Sequence, residues 1–542
     1  MTSIQQQFHT NQDNDFDAIV IGAGFSGLYM LYRLREAGLR TLAFEASADV
    51  GGVWYTNRYP GARCDSDSII YNYTFSEELL QEWTWTSRFP EQAEIQSYLS
   101  YVADKFDLRR DIQFNTRITA AHFDEMNNRW MLQTNDGTSL SAKYFISGVG
   151  MHSTTNVPNF KGLESFEGDW YHTGQWPHEK VDFKGKRVGV IGTGSSGIQS
   201  IPVIAKEAEH LTVFQRTPVY STPARNHPYD PEFIRQTKAN YNEIIREISK
   251  SMGGFISRDS NNRSALADTP EKRQREYEKM YEKGGLGLQG IYKDLMINAA
   301  ANETVSEFVR SKISTIVKDP EVAEKLKPKY YYAAKRPAID TNYYETYNRE
   351  NVTLVDVKSA PIESITPKGL RTTESEYELD VLVFATGYDS MTGSLFKMDI
   401  RGKGGMSLKE KWADGAKTRT YLGMAIAGFP NFFLLANAES PAALSNMPVV
   451  IQQQVEWIDD CIQYFREHGV ETIEARAEAE EAWSKHCKEL ADSTLFTKVE
   501  SWYTGANIEG KARGLPIYVG GVWAYRKKCD EVAAKGYEGF YL

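Results

Sequence analysis

Cysteine is scarce in this chain: 542 residues carry four, Cys64, Cys461, Cys487 and Cys529. They lie far apart and form no CxxC pair or ligand cluster. That speaks against a disulfide scaffold and a zinc site, and it fits a reducing compartment. Basic blocks are also missing, and the net charge is −10, so bulk electrostatics gives no reason to invoke nucleic acid. No apolar run approaches membrane-spanning length. The opening stretch MTSIQQQFHTNQDND is polar and has no apolar h-region, so no signal peptide is read and a cytoplasmic protein is expected. Hydrophobic content is a modest 41%, yet a chain this long can bury sizeable cores, and its length suggests two to four folding units.

What is present is one grammar written twice. Residues 17–21, DAIVI, read as a buried strand, followed by GAGFSG (22–27), an amphipathic helix and a second strand, LRTLAFE (39–45). A lone G-x-G-x-x-G is a weak signal. Between strand and helix, with an acid closing the second strand, it is a strong one for a dinucleotide site. Gly22 allows the tight turn, Gly24 lets backbone approach a pyrophosphate, and Gly27 lets the helix pack on the strand. The helix N-terminus favours the anion, and Glu45 is placed to accept hydrogen bonds from a ribose.

The pattern returns in RVGVI (187–191), GTGSSG (192–197) and LTVFQRT (211–217), with the same 23-residue spacing from first glycine to the end of the second strand. Position 215 is Gln, and Arg216 follows it. A carboxylate repels a 2′-phosphate, whereas a guanidinium matches it with a bidentate fork. The first loop therefore suits an unphosphorylated ribose, as in FAD or NAD, and the second suits NADP. The bland alternative for Arg216 is a solvated cation at a strand end.

Each half closes on an apolar strand ending in glycine, KYFISGVG (143–150) and VLVFATG (381–387). The second half is longer, and residues 225–330 carry helical periodicity with many Glu, Lys, Arg and Tyr, which marks an insertion. Beyond about residue 390, strand and helix signals alternate, and GFPNFFLLAN (428–437) reads as another buried strand. The predicted fold class is α/β, with two Rossmann-like dinucleotide-binding domains and a helical insertion in the second. The expected division gives 1–150 with 390–542 to an FAD-binding domain, 151–224 with 331–389 to an NADP-binding domain, and 225–330 to a helical subdomain.

Two further stretches narrow the chemistry. GGVWYTNRYPGARCD (51–65) combines two glycines, a proline turn, three aromatics and two arginines, and ends in Asp65. A planar ring can lie against it; the alternative is an aromatic loop packed on its own domain. FEGDWYHTGQWP (166–177) holds one histidine between two tryptophans. The residues alone leave a metal ligand, a catalytic base and a structural brace open.

These two stretches resemble the fingerprints of type I Baeyer–Villiger monooxygenases. The second fits F-x-G-x-x-x-H-x-x-x-W-P through Phe166, Gly168, His172, Trp176 and Pro177. The resemblance spans almost the whole chain, taking in KRP (335–337), ATGYD (385–389), ALSNM (443–447) and SWYTGAN (501–507). It is strongest toward the phenylacetone, steroid and cyclohexanone enzymes of that family. The resemblance implies FAD in the first domain, touched by Ser26, Glu45, Trp54, Asp65, Tyr71, Ile118 and Met447. It implies NADP(H) in the second, held by Thr193, Gly194, Ser195, Ser196, Gly197 and Gln199, by Arg216 and Thr217, and by Lys335 and Trp502. Lys335 supports Arg216 at the 2′-phosphate, and Trp502 closes the site as a lid.

The implied reaction consumes NADPH and O2. Reduced flavin captures O2 as a C4a-peroxyflavin anion, which attacks a ketone and yields an ester or lactone. Arg336 is then the catalytic cation that keeps the nucleophile anionic, and Asp65 orients it without neutralising it through a tight pair. His172 is expected to be a hydrogen-bonding brace between domains, since no second ligand stands at metal spacing. Trp170 and Trp176 are expected to be packing residues, and Cys64 a buried small side chain.

One departure concerns the segment after NFFLLAN. Relatives usually carry a Gly-Pro pair there, whereas this chain has Asn437, Ala438 and Glu439, which puts the shape of the adjoining pocket in doubt. The nearest rival is a flavin monooxygenase of amines or sulfides; sulfide oxidation is also compatible with ketone oxidation as a side activity. A disulfide reductase needs a cysteine pair that this chain lacks. A non-catalytic FAD-binding module needs neither the second dinucleotide fold nor Arg216. The expected partners are a ketone and O2, with no metal, membrane or nucleic acid, and the chain is expected to be a monomer.

Overall fold

The structure is a computed structural model that describes residues 14–256 and 262–541. Most of the polar N-terminal stretch, residues 1–13, and five residues of the expected insertion, 257–261, lie outside the described residues.

Two sheets organise the fold. The first has eight strands among the described residues. At its centre Asp15–Ile21 pairs in parallel with Thr41–Phe44 on one side and with Ser139–Ser147 on the other. The central strand is a run of β-branched and aliphatic residues because both of its faces are covered: Ala18, Ile19 and Val20 are fully buried. The expected strand at 143–150 starts earlier and stops at Ser147. The expected strand at 428–437 shrinks to Phe432–Leu434, which pairs in parallel with the end of Ser139–Ser147. Asn431 (φ 57°) and Ala436 (φ 50°) bracket it, and left-handed residues cannot extend a strand.

The second sheet is parallel throughout, in the order Val352–Asp356, His210–Gln215, Arg187–Ile191, Val381–Phe384, Asp169–His172. The chain leaves this sheet through Ser221–Pro223 and returns through Ala338–Asp340, and these two short strands pair in parallel. Between them lie the helices Pro231–Ala239, Tyr241–Ser249, Pro270–Lys283, Ala299–Ile316 and Pro320–Leu326, as the helical periodicity predicts. Four of these are capped by the side chains of Asp230, Thr269, Asn298 and Asp319, which satisfy first-turn N–H groups locally.

The tail after residue 390 is mostly helical rather than alternating. Its long helix Met447–Glu467 packs on the helix Phe25–Glu36, burying Val455, Ile458 and Ile462 with Leu28, Leu31 and Leu34 in one core. Each such aliphatic side chain contributes about 1.5–3 kcal/mol when fully buried. Arg33 adds an ion pair to Asp459 at 2.6 Å across the same interface. No helix among the described residues is long and apolar enough to cross a membrane.

Candidate functional site

The two glycine loops are built alike. Gly22 (φ 95°) and Gly192 (φ 108°) open the turns, and a Cβ on either would lie 2.6 Å from the Gly148 carbonyl oxygen or 2.4 Å from that of Ala385. Gly27 and Gly197 face the carbonyls of Gly22 and Gly192, where a Cβ would stand at 1.7 and 2.3 Å. The middle glycines differ. Gly24 rests on Gly52, at an ordinary 3.4 Å for an added Cβ, whereas nothing lies within 4 Å of one on Gly194. Both following helices, Phe25–Glu36 and Ser195–Glu207, lack a side-chain cap and an acid in the first turn. Their first N–H groups therefore remain available to an anion, unlike those of the capped insertion helices.

At the ends of the second strands the two halves diverge. The Glu45 carboxylate is buried and tied to its own loop, accepting from the Ala23 N–H at 2.8 Å and the Ser47 N–H at 2.7 Å, with a lone pair left on each oxygen. Gln215 turns the other way, donating from Nε2 to the Lys325 carbonyl of the insertion at 2.8 Å. Arg216 is exposed beside it, and Lys335 stands near enough to feel its charge. Burial, and next Arg216, push the Lys335 ammonium down to about 8. The ammonium also sits 4.7 Å above the ring of Tyr330. Neither cation makes an ion pair among the described residues. Two unpaired cations held together suit a dianion such as a phosphate monoester.

Arg336 and Asp65 form an ion pair. Arg336 Nη2 and Nε donate to the same oxygen, Asp65 Oδ2, at 2.7 and 2.9 Å, and Nη1 donates to the Ala443 carbonyl at 2.8 Å. Sequence reasoning asked for an orientation without a tight pair; the pair is tight. Its geometry supplies the reason: both donors converge on one oxygen, and a backbone carbonyl provides the second anchor. The side chains of Arg336 and Asp65 keep 21% and 24% exposure. Asp65 raises the guanidinium further above its usual range, against the burial that lowers it, so Arg336 stays cationic throughout.

Two neighbours of Arg336 escaped the sequence reading. Ala443 contributes only its backbone, at φ 65°. Tyr503 is buried, and its phenol is pushed up to about 12 by burial, opposed by Arg336. It follows Trp502 within SWYTGAN, and nothing in its residue type marks it as a neighbour of Arg336. Trp502 opens a short 3-10 turn and packs edge-on against His152, 5.0 Å between ring centroids. His152, also missed, lies 5.1 Å from the ring of Tyr388 and 3.2 Å from Ser390 Oγ.

Other expected site residues are distributed as follows. Trp54 Nε1 donates to the Tyr71 hydroxyl at 3.1 Å, and Ser26 and Tyr71 are buried. Ile118 is buried in the first sheet's core, and Met447 starts the long tail helix. The Thr193 hydroxyl donates to the Thr217 carbonyl at 3.3 Å, and Thr173 donates to Ser196 at 3.1 Å. Gln199 is engaged elsewhere: it accepts from the Tyr59 hydroxyl at 2.7 Å and donates to the Arg63 carbonyl at 3.0 Å. It thus docks the second loop helix on the 51–65 stretch.

His172 ends the edge strand of the second sheet and is buried. Its Nδ1 accepts from the Gly174 N–H at 2.9 Å, and its Nε2 lies 3.3 Å from Thr386 Oγ1. The Thr386 hydroxyl donates its proton to the Asn156 carbonyl, so it accepts from Nε2–H, and the imidazole is the neutral Nε2 tautomer. Burial pushes the ring down to about 4, which keeps it neutral at physiological pH. No group of three or more potential ligands for a metal occurs among the described residues. Trp176 is buried as expected, but Trp170 is 44% exposed and meets Phe384 only edge-on, because an edge strand has one uncovered side. Cys64 is buried, and its thiol is raised beyond reach of ionisation by burial.

The departure at Asn437–Glu439 puts a carboxylate into the interior of the fold. It is buried and turned onto Thr420 and Ser484.

Two glycine loops, each joining a parallel strand pair in its own sheet, define a protein with two dinucleotide-binding folds, and an arginine–aspartate pair joins segments that lie 271 residues apart. Residues 17–253 match the family described as flavin-binding monooxygenase-like. A Baeyer–Villiger monooxygenase of Pseudooceanicola batsensis is 45% identical over 96% of this chain and 95% of its own length. A phenazine N-monooxygenase of Lysobacter antibioticus is 44% identical over 98% of both chains. The structure of an oxidised steroid monooxygenase bound to NADP superposes with a TM-score of 0.93 at 48% identity, covering 97% of this chain and 99% of that one. The chain belongs to the flavin-binding monooxygenase-like family, as a member of its Baeyer–Villiger group.

Proposed function

We propose that the chain is an FAD-dependent, NADPH-consuming monooxygenase that inserts one oxygen atom of O2 beside a ketone carbonyl, giving an ester or lactone. The observation that carries this reading is the permanently charged guanidinium of Arg336, fixed from two sides by Asp65 and the Ala443 carbonyl. The first domain, 1–150 with 390–542, then holds FAD at the uncapped helix after Gly22–Gly27, with Glu45 toward a ribose and Trp54, Asp65 and Tyr71 along the ring. The second, 151–224 with 331–389, holds NADPH at Thr193–Gly197, with Arg216 and Lys335 on the 2′-phosphate, while 225–330 forms the helical subdomain. The open approach to Gly194 and the unpaired cations support that fit.

Bound flavin, reduced by NADPH, supplies the activation of O2. Arg336 stabilises the negative charge that develops on oxygen as a carbonyl is attacked, and it needs no reorganisation because it is already anchored. Asp65 orients the guanidinium through Oδ2. Trp502 and Tyr503 cover the centre and keep water from it. His172, neutral and doubly hydrogen-bonded, braces the exit of the strand Val381–Phe384 rather than moving a proton.

The similarity to a phenazine N-monooxygenase supports a second reading, oxygenation of a soft heteroatom, and sulfide oxidation is proposed as a side activity. Product analysis separates the readings. The purified, yellow protein is given NADPH with linear, cyclic and aryl ketones and a thioether. Ester or lactone formation is expected; exclusive N- or S-oxidation overturns the ketone assignment.

A further inference from the structure

Glu439 is a buried acid that the proposed reaction does not use, at the junction of four segments. Its backbone has the left-handed φ of 57°. Its N–H donates to the Pro516 carbonyl at 2.9 Å, and its carbonyl accepts from Trp483 Nε1 at 3.2 Å. Three donors converge on Oε2: the Thr420 N–H at 2.7 Å, the Thr420 hydroxyl at 2.9 Å and the Ser484 hydroxyl at 3.0 Å. The loop then continues through Ser440, whose carbonyl accepts from the Tyr518 N–H at 3.0 Å, to Ala443. Its far end is tied by Asn446 Nδ2 to the Ile70 carbonyl at 2.6 Å. Between these two fastenings stands the Ala443 carbonyl that receives Arg336 Nη1.

We propose that Glu439 is a positioning residue for Arg336: its carboxylate fastens the near end of the loop to Thr420 and Ser484, and so holds the Ala443 carbonyl against the guanidinium. This rests on Arg336 being the catalytic cation.

The state of the acid then matters. Three donors on one oxygen match a carboxylate; a protonated acid, with its proton on Oε1, offers the same three donors only a neutral and weaker acceptor. Burial pushes Glu439 up to about 7, opposed by the donors from Thr420 and Ser484. Of the basic groups on the elements packed against it, Arg419 beside Thr420 is turned to Glu481 at 4.0 Å, and His486 lies against the rings of Trp483 and Tyr518. Glu480, on the same helix as Ser484, raises Glu439, and is itself paired to Lys411 at 3.0 Å. Cys487 is held neutral by burial and by Glu439, and the raised phenol of Tyr518 is neutral as well. No lysine or arginine forms an ion pair with Glu439 among the described residues. The loop is therefore fastened above neutrality and loosened below it.

The test uses the full-length holoenzyme with Glu439→Gln and Ser484→Ala, the second serving if the first does not fold. Infrared titration follows the buried carboxyl, independently of turnover. A band lost as pH rises through about 7 is expected in the wild type, absent in E439Q and shifted to higher pH in S484A, which removes a donor to the charged form. Ester formation in the wild type is expected to rise about tenfold across the same interval while NADPH-driven flavin reduction does not. In E439Q the ester rate should be flat at the low limb. A wild-type pH profile in E439Q, or no carboxyl titration near neutrality, overturns the proposal. If no ester forms at any pH, the assigned reaction fails. Crystal structures of the wild type below and above neutrality then decide the positioning claim by whether the Ala443–Arg336 contact is kept only above it.

Discussion

Arg336 and Asp65, 271 residues apart in sequence, meet at 2.7 Å, and the Ala443 carbonyl holds the guanidinium from its other side. Removing one partner of a partly buried ion pair strands the other, so each truncation costs more than the pair contributes. Arg336→Ala is expected to leave NADPH-driven flavin reduction within a fewfold of wild type and to lower ester formation by at least about a hundredfold. Stopped-flow absorbance and product chromatography check the two halves separately. Asp65→Asn keeps an acceptor for the guanidinium, so it should retain more activity than Asp65→Ala; equal losses would mean that Asp65 does more than orient.

Gly194 offers a test of nucleotide fit that does not disturb the protein. Its φ of −78° suits any residue, and an added methyl meets no atom within 4 Å. Gly194→Ala should therefore leave the unfolding midpoint unchanged. If a pyrophosphate approaches this backbone, the methyl occupies its path, and the KM for NADPH should rise at least about tenfold. Gly197→Ala is the contrast, since its methyl would lie 2.3 Å from the Gly192 carbonyl oxygen and should destabilise the second sheet outright. Unchanged NADPH affinity in G194A would remove the dinucleotide from this loop.

These cases show where the sequence was readable. The outer glycines of each loop follow from sterics: a positive φ at Gly22 and Gly192, and a close carbonyl at those two and at Gly27 and Gly197, leave no room for Cβ, so the pattern predicts the turn. The insertion was legible from helical periodicity, and its capping residues Asp230, Thr269, Asn298 and Asp319 agree with it. Arg336 was not legible by spacing, because Asp65 belongs to a different stretch and only the family resemblance joined them. The Ala443 carbonyl could not be read at all, since a backbone acceptor leaves no trace in residue type. The destination of Glu439 depended on Thr420 and Ser484, from two distant segments that only the tertiary fold brings together. Trp170 misled because burial depends on strand order, and its strand lies at the sheet edge.

Arg216 and Lys335 give a pH signature. Lys335 titrates near about 8, lowered by burial first and by Arg216 second. Above that pH it loses its charge, and an NADPH 2′-phosphate loses one of two cationic partners. The KM for NADPH should climb above about pH 8, while that for NADH stays flat. Arg216→Ala should raise the KM for NADPH about tenfold or more, leave NADH little changed, and move the remaining inflection upward by removing the like charge. An inflection common to both nucleotides would place the titrating group elsewhere.

Asp340 makes stability itself depend on pH, at the point where the insertion returns to the second sheet. It is buried beside Ser221 Oγ (2.6 Å) and accepts from the Tyr343 N–H (3.1 Å). Burial raises it to about 6, and the donors from Ser221 and Tyr343 only partly offset that. A folded pKa above the unfolded value of 3.8 favours the protonated form in the folded state. Its stabilising contribution is therefore complete below the unfolded pKa and is lost as pH rises through about 6. The shift of roughly two pH units corresponds to about 3 kcal/mol between the two limits. Asp340→Asn removes the titration while keeping an acceptor for Tyr343, and the Ser221 hydroxyl can turn to the Ala338 carbonyl, 3.4 Å away. The unfolding midpoint of D340N relative to wild type should accordingly rise between about pH 4 and pH 8, with most of the change between those two pKa values. A difference independent of pH would show that Asp340 is ionised throughout and that its burial is compensated by its neighbours.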